Sequence, residues 1–370
     1  MTGPMVSITV CVRNGAHWID DCLASLKGQT HPSTEILVVN DGSTDGAEAI
    51  LDAHHDPEGN NGVPVRVHHQ PPLGLSAGRQ WAVEQARGEW VAITDIDVRP
   101  EADWVANMVA QIHPVDPEER VVAITGRTVF EQASDLVSRL RSVEIAAKYR
   151  ARPRRTSLAN GPCSMFNREA LLAVGGFDPE WYHAEDMEVS LRLIQAGGTI
   201  VYARDALVRH VPETGAYHFL AKRRRDARAH VRIVRHHPKR QRGGPGFDFL
   251  GSSTVVLCML PMWLAALILF VPFALGLLSG DLALGKAMFQ QWEGQALVAS
   301  ITVLLIQEVL VWRGRLGVVN REVVRSTTGS KLVAMLGVRR MILRWSLALW
   351  HGLFLGVLDA VLGRNGHRRA

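Results

Sequence analysis

Apolar and polar positions alternate in short blocks through the first two hundred residues, and the blocks change period. Val6-Ser7-Ile8-Thr9-Val10 has the period of a strand, extending to Val12 and a turn at Arg13-Asn14-Gly15. Ile19, Cys22, Leu23 and Leu26 then follow at helical spacing, with Asp20 and Asp21 at the start and Lys27 at the end, as the helix dipole favours. Glu35–Val39 predicts a second strand, buried on both faces, running into Asn40-Asp41-Gly42-Ser43-Thr44-Asp45. That polar loop opens a helix through Ala53. A third strand is predicted at Val63–His69, a helix at Gly74–Ala86 and a fourth strand at Trp90–Thr94. Strand and helix keep alternating, which predicts an α/β fold with a mostly parallel sheet and helices on both faces.

The pattern continues with a helix carrying Trp104, Val105, Met108, Val109 and Ile112, and a strand at Val121–Thr125. Helical character returns over 131–155, and Ser157–Phe166 is a strand or loop punctuated by Gly and Pro. Asn167 caps a short helix that stops at Gly175-Gly176. Another helix begins near Glu185 and ends at Gly197-Gly198, and Thr199–Tyr202 and Ala206–Val208 read as closing strands before His210. Beyond residue 248 the periodicity vanishes. Phe249–Gly280 contains no charged residue or histidine and predicts a transmembrane helix, kinked at Pro261 or Pro272. Gln295–Trp312 is a second candidate and Trp345–Gly363 a weaker third. In the third, Arg344, His351, Leu355 and Asp359 share a helical face suited to a bundle or to the interface. The expected organisation is therefore a catalytic domain over 1–215 (halves 1–100 and 101–215), a basic linker over 216–248 and a membrane region over 249–370, with spans near 249–280, 295–312 and 345–363.

Charge refines this picture. The chain has 370 residues, a formal net charge of +5 and a pI near 9.2, too mild a balance to suggest a nucleic-acid partner. Basic residues crowd into 139–155, 222–242 and 313–344, whereas 281–293 holds only Asp281, Lys286 and Glu293. The positive-inside rule places the basic segments and the soluble part on the cytoplasmic side. Arg364, His367, Arg368 and Arg369 prefer that side too, which leaves the third segment's topology open. Tyr217–Arg235 mixes Arg and Lys with apolar residues, giving an in-plane helix on anionic lipid, an Arg cluster for a diphosphate, or both. The run from Lys148 to Arg155 reads as a solvated loop in preference to a phosphate or lipid contact. The cysteines Cys11, Cys22, Cys163 and Cys258 lack disulfide or metal spacing, and no basic-plus-apolar signal segment begins the chain.

The candidate chemistry centres on Thr94-Asp95-Ile96-Asp97-Val98, at the end of a buried strand where open α/β sheets place their ligands. Residues two apart on a strand point the same way, so the two carboxylates repel unless a cation sits between them or one takes a hydrogen-bond donor. Hard oxygen ligands suit Mg2+ or Mn2+ with substrate phosphates.

Val38–Asp45, the Asp95/Asp97 pair, Val174-Gly175-Gly176-Phe177-Asp178 and Ala184-Glu185-Asp186 occur in the order found in family 2 glycosyltransferases, as do Arg13-Asn14 and Gly74-Leu75-Ser76-Ala77-Gly78-Arg79. The chain resembles that family over about residues 5–215. The resemblance implies a GT-A fold and inverting transfer from a nucleotide-sugar, commonly a UDP-sugar. It implies nucleotide binding by Arg13, Asn14, Asp41, Gly74, Arg79 and Asp95, with Asp41 accepting from the nucleobase. It implies a metal at Asp97, Asp95 and His210, and a catalytic base at Asp186 with Glu185 beside it. Gln80 stands where many relatives have Asn, and the Gln-x-x-Arg-Trp signature of processive synthases is missing from Tyr217–Arg235. The expected activity is hexosyl transfer to a lipid-linked or other glycan acceptor at the membrane. A processive polysaccharide synthase and a non-catalytic membrane scaffold are the alternatives.

Overall fold

The structure, a computed structural model, describes residues 3–238, 253–283 and 285–364. The linker reading over 239–248, the start of the first span and His367, Arg368 and Arg369 lie outside the described residues. The strands are β1 (Val6–Val12), β2 (Thr34–Asp41), β3 (Val65–Gln70), β4 (Trp90–Asp95), β5 (Val98–Pro100), β6 (Val121–Phe130), β7 (Arg155–Thr156), β8 (Ser164–Asn167) and β9 (Thr199–His210). The helices are α1 (Ile19–Lys27), α2 (Ala47–His54), α3 (Leu75–Gln85), α4 (Trp104–Val109), α5 (Leu136–Arg150), α6 (Arg168–Ala173), α7 (Glu185–Gln195), α8 (Ala216–His236), α9 (Thr254–Ser279), α10 (Trp292–Trp312), α11 (Gly314–Ser326) and α12 (Lys331–Val361).

One sheet runs β3-β2-β1-β4-β8-β6-β9-β5, with β7 also on β9. Its first four strands are parallel, as the alternation predicts. The remainder is mixed, because β8 inserts antiparallel between β4 and β6. The two closing strands expected from sequence are one strand, β9, whose pairing with β6 shifts register between Tyr202 and Leu207. Parallel pairing brings the carboxyl ends of β1, β2 and β4 to one edge, with Cys11 opposite Asp95 and Val12 opposite Asn40. Arg13, Asp41 and Asp95 therefore leave the sheet together.

Strand alternation divides the core between two faces. Ile8, Ala92 and Met165 pack with Ile19 and Leu23 of α1, Leu51 of α2 and Trp104 of α4. Val91, Ile93 and Phe166 pack on the other side with Val83 of α3, Leu171 of α6 and Val189 of α7. The predicted face of α1 is buried: Ile19, Cys22, Leu23 and Leu26 are all inaccessible. β2 is buried at every position, even at Glu35, which accepts from Ser7 Oγ at 2.6 Å and Arg66 Nη2 at 2.9 Å. A buried acid is tolerable because it is paired and hydrogen-bonded.

α9, α10 and α12 are long and apolar enough to cross a membrane. Leu264, Leu267, Ile268 and Leu275 of α9 are exposed, an arrangement suited to lipid rather than water. Pro261 and Pro272 both lie inside an uninterrupted helix. Two readings of the C-terminal region change. The basic stretch 313–344 is helical almost throughout, forming α11 and the start of α12, and α12 begins 14 residues before the predicted third span. Asp359 also does not share its environment with Arg344 and His351, which are exposed. It is buried with Gly352 and Gly356 in a seam against α8. A Cβ on Gly352 would stand 2.1 Å from the Arg224 carbonyl oxygen, and one on Gly356 would stand 2.8 Å from Val231 Cβ. Arg228 donates twice to Asp359, at 2.5 and 2.8 Å. Thus α8, expected as a lipid-facing amphipathic helix, gives one side to α12. A third core joins Leu140 of α5, Phe219 of α8, Met259 of α9, Val319 of α11 and Trp345 of α12.

Candidate active site

A cavity of about 1040 Å³ opens where the sheet's carboxyl edge meets α5, α8, α11 and α12. Arg13, Asp41, Gly74, Arg79, Asp95, Glu185, Asp186 and His210 all line it, whereas Asn14 and Asp97 are not among the lining residues. Cys11 lies on its floor, its thiol pushed up to about 12 by burial and so protonated.

The β2 exit is built around Asp41. Its Oδ1 accepts from Gln70 Nε2 and the Leu73 N–H, both at 2.8 Å, its Oδ2 accepts from the Gly74 N–H at 3.0 Å, and Arg13 lies 3.8 Å away. Gly74 holds φ +102 at the start of α3, a conformation that favours glycine, and a Cβ there would meet the Tyr182 ring at 3.6 Å. Asn14 is exposed and is used locally. Its Oδ1 accepts from the Thr44 N–H at 2.8 Å and its own N–H donates to Ser43 Oγ at 3.0 Å, tying the β1 loop to the β2 loop. Asn14 thus braces the Arg13–Asp41 wall from outside.

Arg79 lines the cavity and is held there by protein carboxylates. It projects from α3, is 2% exposed, and donates to Glu185 Oε1 at 2.7 Å and to Asp95 Oδ1 at 2.9 Å. Both terminal nitrogens are engaged with protein carboxylates, so Arg79 joins the end of β4 to the start of α7. Gln80, the departure beside it, accepts from the Phe177 N–H at 2.7 Å. Gly176, at φ +66, makes room: a Cβ there would lie 2.0 Å from Gln80 Oε1. The Gly175-Gly176 motif therefore serves packing against α3.

Glu185 and Asp186 open α7 after Ala184, which holds a left-handed φ of 58. Asp186 accepts from the Gly161 N–H at 3.0 Å and from the Met187 N–H at 2.8 Å. Gly161 was not foreseen. It arrives because β8 pairs with β4, and Thr94 Oγ1 donates to the Pro162 carbonyl at 2.9 Å. Burial pushes Glu185 up to about 7, opposed by Arg79 and reinforced by the charge of Asp186. Burial likewise raises Asp186, against Arg79 and the two backbone donors.

The acidic pair corrects an expectation. β4 ends at Asp95 and Asp97 lies in the turn before β5, so the two do not project from one strand face. Asp95 turns to Arg79, whereas Asp97 Oδ2 lies 3.5 Å from His210 Nε2. His210 is fixed by Val211 O at 2.8 Å from Nδ1 and by stacking on Phe130. Burial raises the Asp97 carboxyl, opposed by His210 and assisted by Asp95. As a test for a divalent cation, the donor set is partial. Among the described residues no three His, Cys, Asp or Glu side chains form a ready-made metal cluster. The Asp97 carboxylate fits the one or two protein oxygens that Mg2+ takes beside phosphate oxygens and water, while the His210 imidazole suits a softer ion than Mg2+.

The far wall comes from elements the sequence did not connect to the site. The run from Lys148 to Arg155 is not a solvated loop. Arg152 stacks over Tyr149 and Tyr202, Arg154 and Arg155 both donate to Glu119, and Lys148 pairs with Glu144 at 3.3 Å. The run was visible as charge; its partners lie far away in the chain. Trp345, inside an apolar span, carried no sequence signal for a cavity.

The sequence profile of Glycosyl transferase family 2 matches residues 7–175. The pre-mycofactocin glycosyltransferase of Mycobacterium tuberculosis is 27% identical over 226 residues, 59% of this chain and 45% of that protein. The poly-beta-1,6-N-acetyl-D-glucosamine synthase of Staphylococcus epidermidis is 28% identical over 219 residues, 56% of this chain and 50% of that protein. The chain thus spans half or less of these curated relatives. A mannosyltransferase from Pyrobaculum calidifontis, solved with GDP-Man and Mn2+, shares the fold at a TM-score of 0.54 and 19% identity, over 96% of this chain and 88% of that one. The parallel edge carrying Arg13, Asp41 and Asp95, the Asp97 turn and the Glu185-Asp186 helix start thus stand on a GT-A scaffold, in a chain whose residues 7–175 match the profile of Glycosyl transferase family 2.

Proposed function

We propose that the protein is a membrane-bound inverting glycosyltransferase that takes a sugar from a nucleotide-sugar, a UDP-sugar in the first instance, and gives it to a lipid-linked or membrane-proximal acceptor. In this reading 1–215 is the catalytic domain, 216–248 the basic connection and 249–370 the membrane region, with the catalytic domain on the cytoplasmic side. The observation that carries it is one cavity shared by two sets of residues. The same space is bordered by Asp41, Asp95 and Asp186 and by Leu316, Val319 and Trp345 of the membrane-side helices. A donor held at the sheet edge and an acceptor arriving from the membrane meet there.

Asp41, Arg13 and Gly74 bind the nucleoside end, with Asn14 bracing them. Asp186 takes the proton of the acceptor hydroxyl, the new bond forms from that oxygen to the anomeric carbon, and the nucleoside diphosphate departs with the electrons of the old bond. Asp97 and His210, with Asp95 beside them, would hold Mg2+ or Mn2+, which would supply electrophilic neutralisation of the departing charge. Glu185 and Arg79 position Asp186 and Asp95. The raised carboxyls of Glu185 and Asp186 support a base poised nearer neutrality than an ordinary aspartate.

A panel of nucleotide-sugars, scored for metal-dependent release of nucleoside diphosphate in lipid nanodiscs, tests this. One donor is expected to stand out; no release from any donor with either metal favours a non-catalytic scaffold. The likeness to a polysaccharide synthase favours a processive variant as the second reading. The absence of Gln-x-x-Arg-Trp from the α8 segment argues for single transfer, and product length on a gel separates the two.

A further inference from the structure

We infer that Trp181 is a positioning residue for the transfer, through which the end of α8 sets the base helix α7, and that α8 is itself fixed by the membrane-length helix α12. The inference rests on the proposed function for the role of Asp186, while the contacts themselves stand apart from it. Residues 177–184 lead into α7. Ala184, at φ 58, is one of two non-glycine residues with positive φ among those described. An alanine in the left-handed region costs free energy and persists only where its surroundings hold it. The group that holds it is Trp181, three residues earlier and 3% exposed. The Trp181 carbonyl accepts from Ser76 Oγ of α3. Its side chain packs with Met187 and Leu191 of α7 and Ile233 of α8, and Ala184 lies against the same cluster.

The end of α8 closes on that indole. The Arg232 guanidinium lies 4.0 Å from the ring centroid, and its Nη1 donates to the Glu180 carbonyl at 2.8 Å. A guanidinium over an indole face is attracted by the ring as well as packed on it. His236 meets the ring edge-on at 5.5 Å. His237, just past α8, accepts from Gln195 Nε2 of α7 at 3.1 Å and stands 3.5 Å from Glu188. One helical turn before Arg232, on the same side of α8, is Arg228, which carries the two bonds to Asp359 of α12. α12 is tied in turn to α9. Pro261 has no N–H to give to the Leu257 carbonyl, which accepts instead from Ser346 Oγ at 3.3 Å and Trp350 Nε1 at 2.8 Å. A line of contacts therefore runs from α9 through α12 and α8 to Trp181, and so to Glu185 and Asp186. It bypasses Arg13 and Asp41 at the nucleotide end. In the proposed reaction, the membrane-side helices that border the acceptor's path thus also set the base, and donor binding is left independent of them.

Hydrogen exchange and steady-state kinetics on the full chain in lipid nanodiscs test this, with Arg232→Gln, Asp359→Asn and the double variant. In either single variant the backbone amides of 178–188 are expected to exchange about fivefold faster than in wild type. Turnover per UDP-binding site should fall about tenfold with the donor KM unchanged. UDP affinity in Mn2+ should stay within about twofold, which also reports that the variants are folded. A merely structural contact would lower the folded fraction and leave kcat per UDP-binding site where it was, so that result overturns the positioning role. The double variant should lose no more than about twofold beyond the worse single variant, because both changes act on one line of contacts. Losses that multiply overturn the link to α12. Trp181→Phe, which keeps a ring beneath Arg232, should hold kcat within about threefold of wild type, whereas Trp181→Leu should lose about tenfold; equal rates in these two overturn Trp181 as the positioning residue. Unchanged exchange in both single variants overturns the clamp, and a loss of UDP affinity makes α8 a brace for the whole domain and overturns the proposal. Wild-type protein that transfers no sugar removes the proposed function, and faster exchange over 178–188 in the variants then still supports the clamp.

Discussion

Asp95 and Asp97 stand two residues apart and are held in opposite ways. Asp95 is neutralised by a buried guanidinium at 2.9 Å that cannot lose its proton. Asp97 leans on the His210 imidazole at 3.5 Å, and burial raises its carboxyl. The first arrangement is closed and structural, because Arg79 also grips Glu185. The second leaves the negative charge only partly answered, which is what the proposed cation position requires. A pair of acids in one short motif can therefore divide its work: one fixes the frame, the other remains available.

The largest effect is expected beyond both, at the group the frame serves. Asp186→Asn should lower turnover by about a thousandfold, the scale of losing a general base, while UDP affinity stays within a factor of a few. Steady-state rates beside calorimetric UDP titration check this, and full activity in the variant removes Asp186 from the chemistry. Next, Arg79→Met leaves Asp95 and Glu185 facing each other unneutralised. Removing one partner of a buried pair costs about 3–5 kcal/mol. Roughly ten degrees of thermal stability should go with it, measured by unfolding in detergent; a stable Arg79→Met would mean that the closed half of the comparison is ornamental. Asp97→Asn should do the reverse. It should leave thermal stability near wild type and weaken Mn2+-dependent UDP binding by about one to two orders of magnitude, with metal-independent binding unchanged. A large loss of stability there would make both acids structural.

The smallest effect concerns pH. Glu185 is raised to about 7, and Asp186 is also raised, both by burial. An acid raised in the folded state holds its proton to higher pH, so the base form is present above the raised value and is lost as pH falls through it. The acid limb of kcat/KM should lie above the ordinary carboxylate range. Glu185→Gln removes the neighbouring negative charge, so the limb should move to lower pH, by about one unit. A limb that stays in place, or moves up, breaks the coupling between the two carboxyls.

The difference between the two acids also marks what could be read in advance. Helical spacing at Ile19, Cys22, Leu23 and Leu26 and strand alternation in β1 fixed those elements, because burial follows local period. The same local logic placed Asp95 and Asp97 together and erred. It assumed that the strand continues through both, whereas β4 stops at Asp95 and the chain turns. The basic run Lys148–Arg155 failed for a related reason: charge is visible in a sequence, but Glu119, Tyr149 and Tyr202 as its partners are not.

The order of apolar blocks, the acidic motifs and the uncharged stretch before Gly280 determined by themselves an α/β domain followed by membrane-length helices. Each depends only on neighbours within a few residues, and a period or a run survives any folding. Only the tertiary structure decided that Arg79 closes on Asp95 and Glu185, that Gly161 donates to Asp186, and that α8 lies in the seam of Gly352 and Gly356. It also decided that Trp345 and Arg315 border the same cavity as Asp41. Those contacts join segments tens to hundreds of residues apart, and their geometry is set by how β8 inserts into the sheet and how α11 and α12 fold back against α5 and α8.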